Sequence, residues 1–278
     1  MIIYLLFVVY NTEFKIMEGF ADLPAVFKIV VFDNSTDSET RQKNKEYCET
    51  NNIFYDTEGR NAGLSKAYNF VITKYLSDDD WLLIMDSDTN ITRDYLNKCL
   101  EAVKDNISEV FTPINIDSKD GRIDSPKLIS NGKMFKTQDV DLSTDNYDYF
   151  MSINNGLLIK NTVFKKVGLY DERIFLYFTD SYFFFMLKQK SIKTKVIPYH
   201  NLCNFSFSHL DNKGLLKKLG MMKRDGKEFY RIAYKVLGNS FLGWIHYHLF
   251  FFKKAIECSK LTGKRYFLSY LFVRKAKI

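Results

Sequence analysis

The sequence predicts a doubly wound α/β fold with a mostly parallel central sheet, followed by a basic helical extension. Three observations predict it: short apolar runs alternating with helical periodicity, polar clusters at the ends of those runs, and a charge break near residue 210.

The elements follow in order. Ile2–Tyr10 is a continuous apolar run, as expected of a strand covered on both faces. Phe27–Phe32 is a second run and Ile53–Tyr55 a shorter third. Leu64, Ala67, Val71, Ile72 and Tyr75 fall at helical spacing. Trp81–Met85 predicts a fourth strand, and Tyr95–Val103 another helix. Strands alternating with helices mean a parallel sheet layered between helices. In such sheets ligands sit beyond the carboxyl ends of the strands, where strand order reverses. The first strand ends at Asn11, the second runs into Asp33-Asn34-Ser35-Thr36-Asp37, and the fourth ends in Asp86-Ser87-Asp88.

Composition bounds the class. The 278 residues are 46% hydrophobic and 26% charged, enough for one large globular domain or a domain with an appendage. Only 13 Gly and 4 Pro exclude a collagen-like or linker-rich chain. Cys48, Cys99, Cys203 and Cys258 lie far apart with no C-x-x-C pair, which gives no zinc spacing and no dense disulfide framework, and fits reducing cytoplasm. The opening MIIYLLFVVYN lacks a basic region and a small-residue cleavage site, so no signal peptide is expected. The longest apolar stretch, Val236–Phe252, is interrupted by Asn239, His246 and His248, which argues against a spanning helix.

The net charge of +7 hides two opposite parts. Residues 211–278 carry 16 basic and 4 acidic side chains, a net of +12, whereas the preceding 210 carry 24 and 29, a net of −5. We therefore expect a body at 1–210 and a helical, membrane-associating region at 211–278. Leu215, Leu219, Met222, Phe229, Ile232 and Val236 recur at three- and four-residue steps among lysines and arginines, with one apolar position missing at Gly226. A second apolar stretch, Phe241–Phe252, carries Trp244 and Tyr247, and a last one sets Tyr266, Phe267, Tyr270 and Leu271 between basic residues. Basic amphipathic helices of this kind lie on an anionic membrane surface. The alternative is a helical cap that packs its apolar face on the body. No nucleic-acid-binding motif accompanies the charge, so nucleic acid is not expected as a partner.

No G-x-G-x-x-G follows the first strand and no Walker A lysine loop appears, which disfavours a Rossmann dehydrogenase or a P-loop NTPase. The polar ends instead offer carboxylates. Two carboxylates one residue apart repel a diphosphate unless a divalent cation lies between, and oxygen ligands favour Mg²⁺ or Mn²⁺. Three D-x-D pairs occur. Asp78 and Asp80 read as a solvated turn, and Asp139 and Asp141 as part of a polar loop. Only Asp86 and Asp88 directly follow a buried apolar strand.

These residues resemble a family. VVYNTEF, VVFDNSTDSE, GRNAGLSKAYN, LLIMDSD and NNGLLIKNTVFKKVGLYDERIF resemble, in order, the segments of family 2 glycosyltransferases of the GT-A fold, a Rossmann-like architecture. The resemblance is to the rhamnosyl- and galactofuranosyltransferase-like kind of bacterial polysaccharide synthesis; it covers about residues 2–210 and implies a nucleotide-sugar half at about 1–115 and an acceptor half at about 116–210. It implies that Asp33 hydrogen-bonds the nucleotide base, that Tyr10 and Asn11 line the same pocket, and that Asn61 belongs to the nucleotide site. Asp88, with Asp86 beside it, would meet the metal and the donor's ribose or diphosphate. Asp180 falls where the family keeps its catalytic base, and His209 would be the third metal ligand. The chain departs from the pattern in three places. Val9 replaces the usual Thr, Tyr177 and Tyr182 stand where acids commonly flank the base, and Asn204 occupies the expected histidine position, leaving His209 and His200 as candidates. Asp180 also reads as a helix N-cap. Asp171 and Glu172 are expected to shape the turn before it, and Gly156 to allow close backbone approach near the acceptor.

The implied reaction is inverting transfer from a UDP- or dTDP-sugar to a hydroxyl of a glycan or polyprenyl-linked acceptor, in capsule or cell-surface polysaccharide synthesis. The enzyme would be cytoplasmic and peripheral on the inner face of the plasma membrane. Two rivals remain at this level: a haloacid-dehalogenase-type phosphatase, whose D-x-D normally ends the first strand, and a decayed transferase fold that binds carbohydrate or membrane.

Overall fold

The structure, a computed structural model, describes residues 1–16, 23–87, 89, 92–119, 121–129, 137–139, 150–203 and 212–262. The order of elements is β1 (Ile3–Val9), β2 (Phe27–Asp33), α1 (Ser38–Thr50), β3 (Phe54–Thr57), α2 (Leu64–Tyr75), β4 (Trp81–Asp86), α3 (Arg93–Asp105) and β5 (Val110–Asp117). Three short strands follow, β6 (Ile123–Ser125), β7 (Lys127–Ile129) and β8 (Thr137–Asp139), then β9 (Phe150–Met151), β10 (Leu157–Lys160), α4 (Asn161–Val167), α5 (Thr179–Gln189) and β11 (Lys195–Cys203). Two long helices close the chain, α6 (Asn212–Val236) and α7 (Ser240–Thr262).

The main sheet has the order β11-β5-β10-β4-β1-β2-β3. It is mostly parallel; β10 runs antiparallel to both β4 and β5, and β6 antiparallel to β5. The chain winds outward from β1 to β3 and then returns to β4 on the other side of β1, which makes the β1/β4 boundary a switch point. There Val9 pairs with Asp33 and Val8 with Asp86, so both acids flank the carboxyl end of β1.

Alternation along β1 builds the layers. Ile3, Leu5, Phe7 and Val9 join Trp81, Leu83, Met85 and the buried side of α3 on one face, while Tyr4 and Leu6 meet Ala67, Tyr68, Val71 and Ile72 of α2 on the other. Being buried on both faces explains the unbroken apolar run. A third core joins Ile174 and Phe185 to Leu215, Leu219, Phe229 and Ile232 of α6 and to Tyr247 and Phe251 of α7. The apolar side of α6 is therefore packed against the body. The gap at Gly226 has a steric cause, since a Cβ there would meet the Phe251 ring at 2.7 Å and the Phe178 ring at 3.1 Å.

Some expectations change. Helix α1 carries no apolar stripe; its buried residues are Asn44 and Cys48, and Asp37 caps it through the Thr40 N–H at 2.7 Å. The polar loop around 118–149 contributes β6 to the main sheet and β7 and β8 to a small antiparallel sheet with β9. Asp80 is not solvated like Asp78. It is buried and accepts the Ile2 N–H at 2.7 Å, fastening the start of β1. Cys48, Cys99, Cys203 and Cys258 are all free thiols. Among the described residues, no helix is long and apolar enough to cross a membrane.

Candidate active site

The carboxyl ends of β1 and β2 are held together by short side chains. Asn11 leaves β1 with φ of 49°, in the left-handed region that asparagine tolerates. Its N–H donates to Ser35 Oγ at 2.7 Å, and its Oδ1 accepts the Thr36 N–H at 2.8 Å, tying the ends of β1 and β2 together. Tyr10 beside it is 48% exposed, an aromatic face open to a ligand. Asp33 is 0% exposed. Its Oδ1 accepts the Ser35 N–H at 2.8 Å, and its Oδ2 accepts from Asn44 at 2.8 Å and from the Tyr55 hydroxyl at 3.1 Å. In this arrangement Asp33 braces the strand ends and presents no accessible oxygen to a base. Asn34 continues the bracing, accepting the Ala62 N–H at 3.0 Å and donating to Gly63 O at 3.2 Å. Asn61 caps the same turn by accepting the Gly63 N–H at 3.0 Å.

The turn after β4 is gripped by one residue. Asp86 is exposed at the strand's end, and its N–H donates to Asn155 Oδ1 at 3.2 Å. Asn155 Nδ2 donates to Thr89 Oγ1 at 2.5 Å and to Cys203 Sγ, at the end of β11, at 3.3 Å. Asn155 thus joins both sides of the D-x-D turn to the last strand. Asp88 and His209 lie outside the described residues, as does Asp141. His200 is exposed on β11, where it pairs with Ile114. Among the described residues, no group of three His, Cys, Asp or Glu could hold a metal ion. The exposed Asp86 carboxylate is the one oxygen ligand of the expected set that the structure describes, and it suits a hard divalent cation.

Asp180 lies in the first turn of α5, half-buried. Burial pushes its carboxyl above the usual range, partly offset by the Ser181 N–H, which donates to it at 2.6 Å. Tyr68, on α2, senses both key acids. Its phenol is held well above its ordinary pKa first by burial and then by the charges of Asp86 and Asp180. The Tyr170 ring meets that of Tyr68 edge-on at 5.0 Å and feels Asp180 in the same way, and Asn154 donates to Thr179 at 3.4 Å. Tyr68 thus feels the charges of both Asp86 and Asp180, and Tyr170 that of Asp180. An exposed carboxylate and one with raised basicity can divide cation binding from proton transfer.

The segment leading to Asp180 is fixed from both sides. Leu64 N–H donates to Phe175 O at 2.7 Å, and Ser65 Oγ to Ile174 O at 2.5 Å. Asn69 accepts the Tyr170 N–H at 2.9 Å and donates to Glu172, while Asp171 pairs with Arg173, so these acids do shape the turn. From the other side, Asp225 of α6 accepts the N–H groups of Leu176 and Tyr177. Phe178, with φ of 67°, is pinned by its stack on Phe229 at 5.3 Å. Gly156 does allow a close approach, with Pro113 at 2.6 Å from where a Cβ would stand and Tyr95 bonded to its carbonyl.

The family model for glycosyl transferase family 2 matches residues 9–182, from the end of β1 to just past Asp180. The chain is a family 2 glycosyltransferase. The transferase is 24% identical over 203 residues to the dTDP-rhamnosyl transferase RfbF of Shigella flexneri, covering 70% of this chain and 66% of that protein. It is 22% identical over 264 residues to a low-salt glycan biosynthesis hexosyltransferase of Haloferax volcanii, covering 88% of this chain and 83% of that protein. The mannosyltransferase PcManGT from Pyrobaculum calidifontis, solved with GDP-Man and Mn²⁺, matches with a TM-score of 0.59 at 11% identity, over 99% of this chain and 76% of that one. That likeness shows the GT-A fold of the transferase.

The sequence reading of this transferase missed Asn44, Tyr68, Asn154, Asn155 and Asp225. The two adjacent asparagines stood before an apolar strand, where buried polar side chains need partners, and that was the available signal. The others gave none.

Proposed function

We propose that this transferase moves a sugar, with inversion, from a UDP- or dTDP-sugar to a hydroxyl of a glycan or polyprenyl-linked acceptor in cell-surface polysaccharide synthesis. The observation that carries the proposal is the pairing of the open Asp86 with the half-buried, basic Asp180 around Tyr68. The name of the rhamnosyltransferase relative supports a dTDP donor.

Asp180 takes the proton from the acceptor hydroxyl as its oxygen bonds to the anomeric carbon. The bond from that carbon to the diphosphate breaks on the opposite face, which inverts the configuration. Raised basicity makes the carboxylate a better proton acceptor, and the rigid loop holds it in line. Mn²⁺ or Mg²⁺, held by Asp86, Asp88 and His209, would neutralise charge growing on the leaving diphosphate. Tyr10, Asn11 and Asn61 would line the nucleoside pocket that Asp33 braces. The basic C-terminal region would keep the enzyme on the inner, anionic face of the plasma membrane, near a lipid-linked acceptor.

Calorimetric titration of UDP and dTDP, with and without Mn²⁺, tests the donor site. Metal-dependent binding of one nucleotide, lost in Asp86→Ala and Asp88→Ala, is the expected result. Binding of neither nucleotide would overturn the proposal.

A further inference from the structure

Helix α7 carries two neighbouring apolar faces. Gly243, Tyr247, Phe251 and Ala255 form the inner face, buried against α6 and the active-site loop. A Cβ on Gly243 would meet Tyr234 at 2.6 Å, and the Phe251 ring lies 6.5 Å from that of Phe178. The outer face holds Phe241 at 71% exposure, Trp244 at 60%, Leu249 at 59% and Phe252 at 51%. Val236, the last residue of α6, and Leu237, in the turn before α7, are also exposed. At helical spacing Phe241, Trp244, His248 and Phe252 make one stripe, with the Phe241 and Trp244 rings stacked 6.2 Å apart. Leu249, Lys253 and Lys260 form the row beside it. Isolated exposed apolar residues are ordinary, whereas a continuous aromatic row marks a docking surface.

Charge selects the occupant. Exposed Lys235, Lys253 and Lys260 border the stripe, within a region of net charge +12. A second copy docking through this face would set that positive region against itself. An anionic lipid surface meets both features, burying the aromatic row and pairing the lysines with headgroups.

We infer that the outer face of α7, with the Val236–Leu237 turn, lies in the headgroup plane of an anionic bilayer. This rests on the membrane contact proposed above and moves it off α6, whose Leu215, Leu219, Phe229 and Ile232 are buried in the body. The inner face of α7 touches Phe178, which leads directly into the turn bearing Asp180. The loop bearing Asp180 therefore packs against the helix that would meet the lipid, which favours a lipid-linked hydroxyl as acceptor.

Tryptophan fluorescence and vesicle cosedimentation of the full chain test the assignment. Trp81 is 2% exposed, so a change in emission reports Trp244. Equimolar phosphatidylcholine and phosphatidylglycerol vesicles should shift emission to the blue and bring the protein down, and pure phosphatidylcholine should do neither. The double variant F241S/F252S, which alters only exposed side chains and should keep the wild-type melting temperature, should bind at least tenfold more weakly. If wild type sediments with anionic vesicles but the variant binds equally and Trp244 emission is unmoved, the α7 assignment falls while membrane contact stands. If wild type binds neither vesicle, both fall. A concentration-dependent dimer in sedimentation velocity, lost in the variant, with no vesicle shift, would make this face a contact between copies and overturn the inference.

Discussion

The carboxylate of Asp225, on α6, accepts the backbone N–H of Tyr177 at 2.9 Å, just ahead of the turn that carries Asp180. The same oxygen accepts the Leu176 N–H at 2.8 Å, and the other accepts from Arg224 Nε at 2.8 Å. A helix of the basic C-terminal region thus holds the loop that presents the proposed base. Asp225→Ala strands both amides, at a cost of roughly 1–3 kcal/mol for each, and should slow turnover as well. Urea denaturation beside turnover measurements checks this; a variant as stable and active as wild type would show that α6 does not support the loop.

Asp180→Asn separates catalysis from stability. Turnover should fall about a hundredfold or more, the usual range for a lost proton acceptor. Stability should move the other way. Because the folded-state pKa is raised above the unfolded value, the folded carboxyl holds its proton to higher pH, and stability falls as pH rises through that window. The ionised group is a net cost at neutral pH, so the variant should melt higher there. The gap should close below the unfolded pKa, where both states are protonated. Thermal melts across pH give the answer, and a lower melting temperature at neutral pH would contradict the burial argument.

Asn155→Leu removes both contacts on the turn after β4 while keeping the branched side-chain shape. The Thr89 hydroxyl and the Asp86 N–H lose their partner, so the expected loss is about 1–3 kcal/mol, roughly 5- to 150-fold in metal-dependent nucleotide affinity. Metal-free affinity should change much less. Equal loss with and without Mn²⁺ would assign Asn155 a general structural role instead.

Gly63→Ala should be poorly tolerated. Its φ is 86°, and a Cβ would stand 2.7 Å from the Phe175 carbonyl oxygen and 2.6 Å from its ring. Overpacking of this kind costs about 1–3 kcal/mol. Since Phe175 belongs to the loop before Asp180, turnover should drop together with stability. An unchanged denaturation midpoint would mean that the loop can shift without cost.

How much was legible depended on what each element buries. β1, β2 and β4 were read to within a residue or two because both faces are covered along most of their length and nearly every side chain there is apolar. Helix α2 was read from its stripe of Ala67, Val71 and Ile72. Helix α1 was hidden because its inward positions are Asn44 and Cys48, the first chosen to bond Asp33 rather than to fill a core. β6, β7 and β8 were hidden because strands of three residues are too short for alternation to appear. Asp180 was legible only through the resemblance of its surroundings; its raised basicity depends on burial by residues far away in the chain.

The sequence by itself determined the layered α/β class, the polar strand ends and the charge break, because these follow from local periodicity and composition. Tertiary structure alone decided which polar groups meet. It brought the charges of Asp86 and Asp180 to bear on Tyr68, turned Asp33 into a buried brace, and recruited Asp225 to the loop before Asp180. It also decided which apolar face of the C-terminal helices is covered and which is left outside. The physical reason is the same in each case. Periodicity records whether a side chain is buried, while its partners are set by packing between segments that the sequence keeps far apart.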